Sequence, residues 1–189
     1  SACLAGSEMC IRDRFEEEFA KMCGVKYAVA ACNGTTAGHL VMLASGLGPG
    51  DEVITTPFTF FATASVVMMA GAKPVFVDVE PTSFCIDTKK IEEKISQKTR
   101  AILAPNLMGN LCDWKAIRKI ANKYKLLVIE DSADTLGAKL NGKSSGYYSD
   151  MSITSFYGSH IINCAGNGGA LTLNSKKFLD KAKLLRSWG

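Results

Sequence analysis

What this sequence has little of closes several classes of function. No apolar run approaches the roughly 20 residues of a membrane span, and the start lacks a basic region followed by an apolar stretch, so neither anchoring nor secretion is indicated. Charge of one sign is also scarce. Against 18 Asp and Glu stand 22 Lys and Arg, and the net +4 is spread along the chain, which argues for neither a nucleic-acid footprint nor a membrane patch. Seven cysteines show no regular spacing and no CxxC pair. They fit a reducing compartment, read here as the cytoplasm, in which Cys behaves as a small buried apolar residue. Histidine occurs only at His39 and His160, and no metal site is expected.

What is present is enough chain, 189 residues at a mean hydropathy of +0.09, to bury one sizeable core. The stretch Ser7 to Arg14 (SEMCIRDR) resembles translated sequencing-adapter sequence, so residues 1–14 are read as a non-native leader and set aside from the chemistry. The sequence stops at Ser187-Trp188-Gly189, directly after an amphipathic helix. The expectation is that residues 15–189 form one large domain and that a smaller C-terminal domain is missing.

Strand and helix signals alternate along those residues. A helix from Phe15 to Cys23, with Phe15, Phe19 and Met22 on one face and Glu16 to Glu18 on the other, ends at Gly24. Strands are predicted at Tyr27–Ala31, Glu52–Thr55, Pro74–Val77, Arg100–Ala104, Leu126–Ile129, Met151–Ser155 and Gly169–Leu173. Helices are predicted at Thr35–Ser45, Phe60–Ala70, Thr88–Ile95, Trp114–Tyr124 with Asp113 as N-cap, and Ser175–Trp188. This alternation implies an α/β fold with a mostly parallel sheet covered on both faces, whose ligands sit beyond the carboxyl ends of the strands.

Three segments fall at such ends. Asn33-Gly34-Thr35-Thr36 follows a strand and opens a helix, so its N–H groups and two hydroxyls can face an anion; an ordinary N-cap is the plain alternative. Asp131, in Glu130-Asp131-Ser132-Ala133-Asp134, ends the apolar strand Leu126–Ile129, where a carboxylate can reach a ligand or merely cap a turn. The strand ending at Thr154-Ser155 runs into an irregular loop with Tyr157, His160 and Asn163, poor core material whose polar groups must meet solvent or a ligand. His39, inside a helix, reads as a packed residue with one satisfied ring nitrogen.

Together with NGTTA at 33–37, TPFTFFATA at 56–64, GAKPVFVDVEP at 71–81, EDSAD at 130–134 and SFYGSH followed by GNGG, the chain resembles the DegT/DnrJ/EryC1/StrS nucleotide-sugar aminotransferases over nearly all of Phe15 to Gly189. The resemblance implies the three-layer α/β/α large domain of the fold-type I, aspartate aminotransferase-like fold. It also implies pyridoxal 5'-phosphate or pyridoxamine 5'-phosphate as cofactor and a homodimer. Carried over by position, Thr35 and Thr36 would bind the cofactor phosphate with Ser155, Phe60 would stack on the pyridine ring, and Asp131 would pair with its nitrogen and keep it protonated.

One position departs from the family. Its aminotransferases have SFxxxK, whose Lys holds the cofactor covalently; here SFYGSH places His160 there. Imidazole cannot make that link, so the cofactor would be held non-covalently, most naturally as the amine. The same exchange marks the branch of GDP-4-keto-6-deoxymannose 3-dehydratase and CDP-4-keto-6-deoxyglucose 3-dehydrase, and Asp134, three residues after Asp131, fits that branch too. The resemblance therefore implies a nucleotide-linked 4-keto-6-deoxy sugar as substrate and His160 as the base that takes a proton from the cofactor's methylene carbon while the C3 hydroxyl leaves. In the CDP-sugar enzyme the ligands of a [2Fe-2S] cluster follow the Trp-Gly at which this sequence stops, so a cluster is neither claimed nor excluded. Two other readings stay open: a sugar aminotransferase using another Lys, and a non-catalytic family member that binds the cofactor.

Overall fold

The computed structural model describes residues 7–160 and 162–188; the first residues of the stretch set aside as leader, 1–6, lie outside them. Seven strands form one sheet in the order β1 (Tyr27–Ala31), β9 (Gly169–Leu173), β8 (Met151–Ser155), β5 (Leu127–Asp131), β4 (Thr99–Pro105), β2 (Glu52–Thr55) and β3 (Lys73–Phe76). All neighbouring pairs are parallel except the two that β9 makes, so β9 alone runs against the others and six carboxyl ends share one edge. A short antiparallel hairpin, β6 (Lys139–Leu140) and β7 (Lys143–Ser144), lies apart from this sheet. Lys139 and Lys143 each begin one of its strands.

Side chains alternate across the strands with the period of two that a sheet imposes. Val53, Leu103, Ile129, Ile153 and Leu171 face one core, which α2 (Gly34–Ser45), α3 (Ala62–Met69) and α6 (Lys176–Trp188) cover. Ile54, Ile102, Ala104 and Val128 face the other, covered by α4 (Thr88–Ile91), a 3₁₀ turn (Glu92–Lys94) and α5 (Trp114–Tyr124). Both faces of the central strands are apolar because both are buried. The result is the three-layer α/β/α sandwich expected. Among the described residues no helix is long and apolar enough to cross a membrane.

Helix α1 (Ser7–Cys23) begins before Phe15, so the stretch from Ser7 to Arg14 is continuous with the helix that follows it. Its buried face also differs from the expected one. Glu16, Phe19, Ala20 and Cys23 are buried, at the i, i+3, i+4, i+7 spacing of one helical stripe, while Met22 is 53% exposed. Glu16 turns inward because it has partners: the Ala30 N–H donates to its Oε1 at 2.9 Å, Arg186 of α6 binds the same oxygen, and Lys183 lies 3.9 Å from the other. The carboxylate thus joins α1 and α6 to β1. A buried charge is tolerated where such partners hold it.

Candidate functional site

At the shared carboxyl edge the chain leaves β2 at Thr55, β4 at Pro105, β5 at Asp131 and β8 at Ser155, and α2 starts at Gly34. Three groups of polar side chains converge there.

The first is the start of α2. Asn33 caps the helix by accepting the Thr36 N–H at 2.8 Å. The Thr36 hydroxyl answers, accepting from the Asn33 N–H at 3.2 Å and donating to the Asn33 carbonyl at 2.9 Å, which completes a capping box. The Thr36 hydroxyl is thus engaged by the cap, the plain alternative that the sequence also allowed. The first intrahelical bond is Ala37 N–H to Asn33 carbonyl, which leaves the N–H groups of Gly34 and Thr35 without a protein acceptor among the described residues. No acidic residue stands in the first turn to meet the positive end of the helix dipole. Ser155 lies against this start so closely that a Cβ at Gly34 would sit 2.7 Å from the Ser155 Cβ. Glycine is therefore what lets strand end and helix start touch.

The second group surrounds Asp131. Its Oδ2 accepts from the Thr63 hydroxyl at 3.1 Å and its Oδ1 from the Ala133 N–H at 3.2 Å. Burial pushes the carboxyl above its ordinary range, against the pull of these two bonds and of His160 nearby, with Asp134 adding to the rise. Thr63 belongs to α3, and its hydroxyl lies 3.3 Å from that of Thr59, so the segment carrying Phe60 is tied to the same carboxylate. Phe60 is 65% exposed, its ring open to the edge apart from a tilted contact with Phe61.

The third is a dyad. His160 Nδ1 stands 3.3 Å from Asp134 Oδ1, and the Met108 N–H donates to Asp134 Oδ2 at 3.3 Å. Met108 and Gly109 both have left-handed backbones (φ 53° and 87°), which turns the loop after β4 back over the end of β5. Lys143 is turned away over the Tyr147 ring. Among the described residues no group of His, Cys, Asp and Glu could hold a metal ion.

The structure thus brings Thr35, Ser155, Phe60, Asp131, Asp134 and His160 to one edge of the sheet, and leaves His39 on α2, half-buried. Sequence reasoning missed Thr63 and Asn106. The signal for Asn106 was available: a polar residue directly after an apolar strand, as with Asp131. Thr63 gave none beyond its place in TPFTFFATA.

A family model described as the DegT/DnrJ/EryC1/StrS aminotransferase family matches residues 9–189. The chain belongs to this family. Among curated relatives, GDP-perosamine synthase of Caulobacter vibrioides is 46% identical over 175 residues, covering 93% of this chain and 47% of the relative. UDP-2-acetamido-2-deoxy-3-oxo-D-glucuronate aminotransferase of Pseudomonas aeruginosa is 44% identical, covering 84% of this chain and 44% of that one. A solved structure of ntda from Bacillus subtilis with bound cofactor PMP superposes with a TM-score of 0.87 at 37% identity, covering 91% of this chain and 39% of that one. The chain spans about half the length of the curated relatives it matches. Its architecture is that of the fold-type I aminotransferases.

Proposed function

We propose that this family member uses pyridoxal or pyridoxamine phosphate to act on a nucleotide-linked sugar, and that the edge just described is its cofactor site. The observation that carries this is a half-buried carboxylate, Asp131, set between an exposed aromatic ring and an anion-ready helix start. The donor set fits the group. Free N–H groups of Gly34 and Thr35, with the hydroxyls of Thr35 and Ser155, suit a phosphate at the positive end of α2. Phe60 offers a face to the pyridine ring, and Asp131 can pair with a protonated ring nitrogen. A carboxylate raised by burial gains the most from such a partner.

The cofactor, when bound, supplies the amine and the electron sink for chemistry next to a sugar ketone. The chain's part is to hold it and to move a proton. With the Asp134 carboxylate beside Nδ1, His160 can offer Nε2 as the free lone pair, and it would take or return the proton at the cofactor's methylene carbon.

Two reactions use such a base. Amino transfer is the reading that the relatives favour: the Pseudomonas aeruginosa protein is named an aminotransferase, and none of those above is named a dehydratase. Removal of the C3 hydroxyl from a 4-keto-6-deoxyhexose is the reading that His160, at the place of the family's lysine, favours, because imidazole cannot hold the cofactor covalently. A homodimer is part of the proposal; Met68, Met69 and Phe76, all about half exposed or more, offer apolar surface for a second copy.

The deciding experiment takes the protein that carries this chain, mixes it with pyridoxal phosphate, reduces with borohydride and looks for cofactor attached to protein. No covalent label, with pyridoxamine phosphate retained and a 4-keto-6-deoxy sugar dehydrated, supports the histidine-based reaction. A covalent label on a lysine makes the protein an aminotransferase. No binding of either cofactor form sinks the site itself.

A further inference from the structure

Behind Asp131 lies a second layer of polar groups that the cofactor would never touch. Glu130 is 2% exposed and points to the opposite face of β5. Its Oε1 accepts from Asn106 Nδ2 at 3.0 Å and from the Ser132 hydroxyl at 2.8 Å; its Oε2 accepts from the Gly146 N–H at 2.8 Å and from the Ser149 hydroxyl at 3.4 Å. All four donors are neutral. Asn106, 3% exposed, is bonded on both sides as well. Its Oδ1 accepts from the Cys112 N–H at 3.0 Å and from Trp114 Nε1 at 3.1 Å, and its Nδ2 also reaches Thr135 Oγ1 at 3.1 Å. Since an indole N–H and a backbone N–H can only donate, the amide can sit only with its oxygen toward them and its nitrogen toward Glu130.

These bonds fix the two pieces of chain that meet at Asp134. Ser132 and Thr135 bracket it in one turn, closed by the Thr135 N–H to the Ser132 carbonyl at 3.1 Å. The loop from Asn106 to Cys112 delivers the Met108 N–H to its carboxylate. Asn106 grips both. We infer that Asn106 and Glu130 are a positioning pair, an amide and a carboxylate whose single direct bond sets where Asp134, and through it His160, stands. The consequence for catalysis rests on the cofactor reading above; the placement of His160 does not.

The pair has a property that an ordinary packing contact lacks, because it can be exchanged. N106D faces two carboxylates at about 3 Å, and E130Q faces either two amide NH₂ groups or an NH₂ and the Gly146 N–H. The double variant N106D/E130Q satisfies every partner. The new amide nitrogen donates to the new carboxylate, its oxygen keeps the Gly146 N–H, the second carboxylate oxygen keeps Trp114 and Cys112, and the hydroxyls of Ser132 and Thr135 rotate to suit.

The test is the two single variants and the double variant, read by the NMR titration of the His160 ring, which Asp134, Asp131 and Tyr157 face, and by the affinity for pyridoxamine phosphate. Each single variant should displace the His160 midpoint and weaken pyridoxamine phosphate roughly tenfold or more, and the double variant should return the midpoint and bring affinity to within about threefold of the unsubstituted protein. Single variants that melt earlier yet leave the His160 midpoint in place would make the pair a structural bond only and overturn the inference. So would a double variant no better than either single one. If pyridoxamine phosphate binds none of the proteins but the His160 midpoint moves and is restored, the positioning pair stands and the cofactor reading falls.

Discussion

Asp134 Oδ1 lies 3.3 Å from His160 Nδ1, and the other oxygen of the same carboxylate takes the Met108 N–H at 3.3 Å. A carboxylate this close to Nδ1 favours the tautomer with its proton on that nitrogen, which leaves Nε2 to work as a base. Asp134→Asn removes the charge and offers an NH₂ in place of one acceptor. Turnover of a nucleotide-linked keto sugar should fall roughly ten- to hundredfold, the worth of a charged neighbour to the base, with cofactor affinity nearly unchanged. Parallel steady-state rates and pyridoxamine phosphate titrations check this. An equal loss of affinity would mean that Asp134 holds the cofactor and not the histidine.

Replacing His160 tests the same site through its chemistry. His160→Asn should slow turnover by about 100-fold or more, as loss of a general base does. His160→Lys should create a covalent, borohydride-reducible attachment of pyridoxal phosphate, found by mass spectrometry on the peptide that contains position 160. An unlabelled peptide in a folded His160→Lys protein would show that position 160 does not face the cofactor.

Asp131 links stability to pH in the unusual direction for a carboxylate. Burial raises it above its ordinary value, so the neutral form is the one the fold favours. The contribution to stability is fully present below the ordinary Asp range and is lost as pH rises through the raised value. Asp131→Asn should therefore make the cofactor-free protein melt at a higher temperature at pH 7 and should flatten the decline in melting temperature between pH 4 and neutrality, since the Thr63 hydroxyl can turn to accept from the new amide. The same change should weaken pyridoxamine phosphate roughly ten- to hundredfold, because a charged partner for the ring nitrogen is gone. A lower melting temperature, with affinity kept, would place the cofactor ring elsewhere.

How much of this could be read from the residues alone follows from what each pattern encodes. Apolar runs such as Leu127 to Ile129 announced buried parallel strands, and the alternation with helices announced the sheet, because both are local patterns. Asp131, Ser155 and His160 were found because each ends a strand or follows one. Glu16 was misplaced on the outer face of α1, since nothing local records that Arg186, far along the chain, meets it. Cap and anion site both stayed open for Thr36 because the capping box with Asn33 and an open phosphate loop share the same residue types. Asn106 could have been marked as a polar residue directly after an apolar strand, but its bond to Glu130 is defined by contacts between β4, β5 and α5, which no spacing in the sequence reveals.

Gly169 is where the phosphate end of the site is most sharply constrained. A Cβ placed there would lie 2.3 Å from the carbonyl carbon and oxygen of Asn33 and 2.7 Å from the nitrogen of Gly34, all backbone atoms, so no side-chain rotation can relieve the clash. Gly169→Ala must push β9 away from the start of α2, at the very residues whose N–H groups are open. Overpacking of this kind costs about 1–3 kcal/mol, which for a chain of this size lowers the melting temperature by roughly 2–12 °C. The affinity for pyridoxamine phosphate should fall with it, and the affinity for dephosphorylated pyridoxamine should fall less, because the displaced groups are those proposed to hold the phosphate. Gly166→Ala is the control, since a Cβ there meets nothing within 4 Å. Calorimetry and ligand titration on the two variants decide it: an unchanged ratio of phosphorylated to dephosphorylated affinity in Gly169→Ala would remove the helix start from the cofactor site.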